Sequence, residues 1–262
     1  MDLGLSDKTA LVTGGSKGIG LSVVRALVDE GASVVVGARR DNADLTALAK
    51  SGRVHMVPVD LTEPDGPDRL VAEAVARFGG LDVLVNNVGA VRPRLDGFLA
   101  VTDDEWSWAM NITFMPAVRT TRAALPHLIA RAPSTVVTIS SVNAFLPDPG
   151  VIDYCAAKAA LSNFCKSLSK EFGPQGVRVN TISPGPVETD LWFGDHGVAA
   201  TVASAGDSDA ATVARRQAQA APTGRFTHPD EVADLVVLLA GGRAANTTGA
   251  DFVIDGGLVT TM

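Results

Sequence analysis

Apolar residues along the chain fall into short blocks separated by longer stretches with helical spacing. The blocks are TALVTG (9–14), SVVVGA (33–38), VHMVPVD (54–60), LDVLVNN (81–87), STVVTISS (134–141), VRVNTISP (177–184) and DFVID (251–255). They are β-branched and mostly apolar on both faces, as parallel strands covered by helices should be. Between them, residues 18–30, 41–50, 66–78, 103–130, 153–172 and 229–240 read as helices. Several ends are marked. Thr102 and Glu105 form a capping-box pair before the long 103–130 segment, Gly173-Pro174 closes 153–172, and Pro229 opens the last helix. Gly31 and Gly241 suit helix C-termini. The alternation predicts an α/β fold with a doubly wound sheet and right-handed crossovers, in one domain over 1–262. Residues 191–222, rich in Ala, Gly and Ser, break the regularity; a loop plus one short helix is expected there, acting as a substrate lid.

Composition narrows the function. With 46% hydrophobic and 19% charged residues a packed core is expected rather than disorder. The net charge of −7 argues against nucleic acid or an anionic membrane as the main partner. The N-terminus MDLGLSDK has no basic stretch followed by an apolar run, and no apolar run approaches about 18 residues. Neither a signal peptide nor a spanning helix is expected. Cys155 and Cys165 lie ten positions apart on one expected helix, about 15 Å, too far for a disulfide. A cytoplasmic location fits two free thiols. His55, His127, His196 and His228 are scattered with no metal-ligand spacing, so no metal is expected, and a nucleophilic Ser-His-Asp enzyme is not expected either.

The stretch TGGSKGIG (13–20) follows the first strand and opens a helix. Gly14, Gly18 and Gly20 allow a tight turn and a close backbone approach, and the helix offers free N–H groups to a pyrophosphate. The spacing is G-x3-G-x-G. At the end of the second strand, where an acid would bind the ribose 2′-OH of NAD, the sequence has Ala38 followed by Arg39 and Arg40, with Lys17 in the glycine turn. Those cations favour a 2′-phosphate and hence NADP(H).

Tyr154, the only tyrosine, precedes Lys158 by four positions, so both project from one helix face. An ammonium there is expected to favour the phenolate and lower a pKa of about 10, as would the charge of an oxidised nicotinamide.

These motifs occur in order with NNVG (86–89), Ser140-Ser141, YCAAK (154–158) and PGPVETD (184–190). Together they resemble the classical short-chain dehydrogenase/reductase family over essentially the whole length. The resemblance implies a Rossmann-type domain with a seven-stranded parallel sheet, usually assembled as a homotetramer (or homodimer). It places the catalytic tetrad on Asn111, Ser141, Tyr154 and Lys158, with Ser141 preferred to Ser140 because it lies thirteen residues before Tyr154. Tyr154 is then general acid in reduction and base in oxidation, Ser141 donates to the carbonyl oxygen, and Asn111 carries a water linking Lys158 to solvent. Lys158 also bonds the nicotinamide ribose. The family's cofactor contacts fall on Gly14, Ser16, Lys17, Gly18, Ile19, Gly20, Arg39, Arg40, Asp60, Leu61, Asn87, Gly89, Pro184, Gly185, Val187 and Thr189. Asp60 would meet the adenine, Asn86 to Gly89 the adenosine ribose, and Thr189 the carboxamide. Val88 and Gly15 are small departures from the pattern.

The expected activity is reversible NADPH-dependent reduction of a small-molecule ketone to a secondary alcohol. One alternative is reduction of a 3-oxoacyl thioester on a carrier protein, with Arg119, Arg122 and Arg131 as a docking patch. Another is a non-catalytic NADP(H)-binding regulator. Trp192 and Phe193 would either wall the substrate pocket or pack the lid onto the core.

Overall fold

The computed structural model describes residues 2–261; Met1 and Met262, the ends of the expected domain, lie outside them. The seven apolar blocks form seven strands, β1 (Thr9–Thr13), β2 (Ser33–Ala38), β3 (Val54–Pro58), β4 (Val83–Asn86), β5 (Ser134–Ile139), β6 (Val177–Pro184) and β7 (Asp251–Ile254). All pair in parallel, in the order β3-β2-β1-β4-β5-β6-β7. The chain winds outward from β1 to β3, then restarts at β4 on the other side. That reversal opens a crevice at the C-terminal ends of β1 and β4, where open α/β sheets bind their ligands.

Period-two alternation sends the two faces of each strand to different cores. Ala10, Val12, Val34, Val36, Val83 and Val85 pack on one side with α1 (Gly18–Asp29), α2 (Ala43–Ala49) and α10 (Pro229–Ala240). Leu11, Val35, Leu84 and Val136 pack on the other with α3 (Gly66–Phe78), α5 (Met115–Ala130) and α6 (Ile152–Phe172). Cys165 lies in that second core, and both cysteines are free and buried.

Two expectations need correction. The segment 103–130 is two helices, α4 (Asp103–Thr113) and α5, meeting at Phe114. Pro116 has no N–H to give the Ile112 carbonyl, so the ladder cannot continue. The Thr102–Glu105 capping box does form, with reciprocal bonds of 3.3 and 2.9 Å. Likewise 191–222 is not a loop with one helix. It holds most of α7 (Asp190–Phe193), and then α8 (Val198–Ser204) and α9 (Ala210–Ala220). Alanine's helix propensity compensates for the weak periodicity, and Asp209 caps α9 by accepting from Thr212 N at 2.7 Å. These helices enclose a small core of their own around Ala199, Ala214 and Phe226.

Gly31 has the left-handed φ of +87° that a helix end favours. Gly241 also ends a helix, but with φ −74°; it is small because a Cβ there would lie 2.7 Å from Leu3 O.

Candidate active site

A cleft of about 620 Å³ runs along the C-terminal edge of the sheet at the winding reversal. One end is built on the glycine turn. Gly14 and Gly18 adopt φ of +68° and +54°, and a Cβ on Gly20 would overlap Gly14 O and lie 2.6 Å from Asn87 Nδ2. The turn is strapped from below: Asn87 Nδ2 donates to Thr13 O (3.0 Å) and Gly14 O (3.1 Å), while Thr13 Oγ1 accepts from Asn87 N (2.9 Å). Gly15 is fixed by packing, since a Cβ there would sit 2.7 Å from Val36 Cγ1. Asn42 caps α2 and also donates from Nδ2 to Ser16 O, tying the β2–α2 corner to the turn.

Ser16, Lys17, Ile19, Arg39, Asp60, Leu61, Gly89, Pro184, Gly185, Val187 and Thr189 line the same cleft. The Asp60 carboxyl is held below the usual range mainly by Thr62, whose N–H (2.9 Å) and hydroxyl (2.7 Å) both donate to it; burial opposes and Arg39 assists. Two assignments shift. Arg40 does not line the cleft, leaving Arg39 as the cation at the β2 end. The Lys17 ammonium points to Asp190, 3.8 Å away, not to the arginines. Asn86 is buried beneath, donating to Thr121 and Thr138, so only Asn87 to Gly89 face the cleft.

The residues fit a dinucleotide. The turn is a cradle that any Cβ at position 20 would fill, the α1 N-terminus has no side-chain cap, and the strand end where a carboxylate would repel a 2′-phosphate carries buried Ala38 instead.

Tyr154, Ser141 and Lys158 meet further along the cleft. Tyr154 and Lys158 share one face of α6 as their spacing requires. Ser141 follows β5; its hydroxyl is shared between Asn143 Oδ1, 3.3 Å away, and the phenol. Ser140 turns to Ser162 on α6, 2.6 Å away. Lys158, 3% exposed, donates to Ile139 O at 2.7 Å, and its nitrogen lies 5.7 Å from the tyrosine ring centroid.

The expectation that Lys158 makes the phenol acidic fails here. Burial pushes the Tyr154 phenol up to about 12, and the Ser141 hydrogen bond offsets this only in part. Burial also brings the Lys158 ammonium down to about 8. Desolvation leads for both groups; Lys158 is not among the causes acting on the phenol, nor Tyr154 among those acting on the ammonium.

Asn111 does not line the cleft; its Oδ1 accepts from Arg119 Nη1 at 3.3 Å. It lies in the last turn of α4, next to Ile112, whose carbonyl Pro116 leaves without a helical donor and whose side chain does line the cleft. Sequence reasoning named Asn111 and missed the break beside it, although Pro116 was the signal.

The cleft wall also includes Val91, Asn143, Leu146, Asp148, Trp192, Val198 and Gln217. Trp192 serves both expected roles: it lines the cleft and packs edge-on against Phe226, centroids 5.2 Å apart. Phe193 packs on Phe226 at 5.0 Å and does not reach the cleft.

A doubly wound sheet, a phosphate cradle and a serine–tyrosine–lysine cluster on the cleft wall define an NAD(P)-dependent oxidoreductase. A family model described as enoyl-(acyl carrier protein) reductase matches residues 14–259. The 3-oxoacyl-[acyl-carrier-protein] reductase FabG of Vibrio harveyi is 32% identical, with 98% of this chain and 99% of the relative aligned. Oxidoreductase UcpA of Escherichia coli K12 is 34% identical over 97% and 95%. The solved L-sorbose reductase of Gluconobacter frateurii, complexed with NADPH and L-sorbose, superposes with a TM-score of 0.91 at 33% identity, covering both chains fully. The chain belongs to the short-chain dehydrogenase/reductase family.

Proposed function

We propose that the protein reduces an uncharged ketone to a secondary alcohol with NADPH, reversibly, Tyr154 giving the proton to the carbonyl oxygen. The observation that carries this reading is the half-buried phenol beside Ser141 at the cleft wall, next to the nucleotide cradle. NADPH supplies the hydride when bound. A phenol pushed up to about 12 is protonated near neutrality, so the donor form is present in the free protein. Ser141 donates toward the oxygen on which charge builds. Lys158 holds the ribose hydroxyls and passes protons to Tyr154, with Asn111 carrying the water that links it to solvent. Thr189 with Pro184, Gly185 and Val187 bounds the nicotinamide, and Arg39 meets the 2′-phosphate.

The solved likeness bound to NADPH and a keto sugar supports both cofactor and substrate class. Lys17, Arg39 and Lys158 are the only lysines or arginines among the cleft-lining residues; the last two serve the nucleotide in this reading, and Lys17 faces Asp190. An anionic substrate would find no counter-charge there, and would face Asp148. Replacing Arg39 with Ala is expected to raise the NADPH dissociation constant roughly ten- to a hundredfold, losing one or two charge-assisted bonds, and to leave NADH unchanged. Fluorescence titration of both nucleotides checks this; equal binding of both by the wild type would refute the preference.

The Lys158 proton sets the pH dependence. With its pKa near 8 in the free protein, the ammonium is present below that pH and lost above it. The kcat/KM for reduction is expected to be level at pH 6–7 and to fall toward a limit of about tenfold per unit above pH 8. A flat profile to pH 9.5 would contradict the assignment.

Similarity to FabG favours a second reading, reduction of a carrier-bound 3-oxoacyl thioester. Its docking patch finds no support. Arg119 reaches Thr62 O ahead of α3 and Arg131 reaches Gly79 O past its end, on opposite ends of a thirteen-residue helix about 20 Å long. A non-catalytic regulator would bind NADPH without consuming it against any ketone.

We read the chain further as one domain in which 191–222 covers the substrate end, working in the cytoplasm as a homotetramer (or homodimer). Val253 on the edge strand β7 and Leu238 on α10 are exposed apolar residues suited to such an interface. Among the described residues no helix is long and apolar enough to cross a membrane.

A further inference from the structure

Next to the catalytic cluster, outside the cleft, sits a buried ion pair, extended by a partly exposed glutamate, that the proposed chemistry does not use. Arg94, in the segment after β4, has a side chain only 7% exposed; Asp153, the residue before Tyr154, is 1% exposed. Arg94 Nε and Nη2 both donate to Asp153 Oδ2, at 3.0 and 2.5 Å. Its Nη1 donates to Glu105 Oε1 at 2.5 Å, and its backbone N–H donates to Gly150 O at 2.7 Å. Each partner is itself committed to a helix start. Glu105 closes the capping box of α4 through Oε2, and Asp153 Oδ1 accepts from Tyr154 N at 2.9 Å in the first turn of α6.

We propose that Arg94 is a positioning residue: its guanidinium locks the start of α6, which carries Tyr154 and Lys158, to the start of α4, which carries Asn111, and so fixes the phenol in the cleft. The inference rests on Tyr154 being the proton donor. Geometry supports it in three ways. The guanidinium is planar, so three donors on one rigid fork set the separation of the two helices as a flexible ammonium would not. Both carboxylates bind it through one oxygen and their own helix N-terminus through the other, so a shift of the fork is passed to the backbone N–H of Tyr154. Arg94 itself is absent from the cleft wall, so it touches neither nucleotide nor substrate. Misplacing a reacting group by about 1 Å is enough to cost about a hundredfold in rate.

The test compares wild type with Arg94→Lys and Asp153→Asn. Arg94→Lys keeps the charge and loses the fork; Asp153→Asn keeps the acceptor for Tyr154 N and loses the ion pair. Each is expected to lower kcat at least about tenfold, with the ketone KM and the NADPH dissociation constant within about twofold of wild type. Because Tyr154 is the only tyrosine, its ionisation is read alone as tyrosinate absorbance near 295 nm, with no turnover needed. In both variants it is expected to titrate closer to 10 than in the wild type, as the ring loses the seat beside Ser141, Cys155 and Lys158 that desolvates it. Wild-type kcat in Arg94→Lys would overturn the proposal. So would an unmoved tyrosinate titration in both variants, or a loss of NADPH affinity as large as the loss of kcat. Should the wild type reduce no ketone at all, the reading of the function falls, and the titration still decides whether Arg94 seats the phenol.

Discussion

Replacing Tyr154 with Phe is expected to lower kcat by about 10² to 10⁴ while NADPH binds within about twofold of wild type. The substitution removes one oxygen from a ring that is otherwise packed in place. The nucleotide cradle is formed by other residues: the glycine turn, its Asn87 strap and the β2 end. Lys158 keeps its bond to Ile139 O, so ribose contacts need not change. What is lost is the proton donor, and the fall should appear in kcat and kcat/KM alike, the mark of an interaction made in the transition state. Steady-state NADPH oxidation with a ketone, alongside nucleotide titration, measures both. A variant that turns over at the wild-type rate would remove Tyr154 from the chemistry.

Gly20→Ala is expected to have the complementary effect, raising the NADPH dissociation constant by about a hundredfold or more. Elsewhere in a helix this exchange stabilises by about 1 kcal/mol, because glycine is the poorer helix former. Here the added methyl would overlap Gly14 O and press on Asn87 Nδ2 at 2.6 Å. Neither neighbour can move cheaply. Gly14 is backbone in a left-handed turn, and Asn87 is the strap that holds that turn. Relieving the overlap must open the cradle, at about 2.7 kcal/mol for a hundredfold loss. Thermal melts with and without NADPH separate the terms: the free protein should melt somewhat lower because it bears the overlap, and the increment from nucleotide should shrink in addition. An undiminished increment would show that the turn tolerates a side chain.

The seven strands were legible because parallel strands covered on both sides are apolar on both faces; α10 carries a run of the same texture, Leu235 to Ala240, and the Pro229 start marks it as a helix. The cradle was legible because backbone geometry restricts what can occupy positions 14, 18 and 20. Less of the site could be read where it depends on partners distant in sequence. Arg94 and Asp153 are 59 positions apart, and nothing local marks them as a pair. Asn87 looks like a ribose contact in its motif, yet its amide also holds a turn 73 positions earlier. The pKa argument failed for a related reason. Spacing placed Lys158 beside Tyr154 but carried no information about burial, and burial decides the sign. The 191–222 segment was underestimated because α7 and α8 are only four and seven residues long and begin without a side-chain cap, so little in the local sequence marks them.

The central claim is that this chain delivers a proton from Tyr154 to the oxygen of a ketone whose carbon receives hydride from NADPH. It is tested most directly by incubating the protein with NADPH deuterated at the transferable position and a neutral ketone such as a keto sugar, then examining the product by NMR. The expected result is a secondary alcohol with one deuterium on the carbinol carbon from the wild type, formed at least about a hundredfold faster than by Tyr154→Phe. Equal deuterated alcohol from both proteins, or none from the wild type across a panel of neutral ketones, would contradict it.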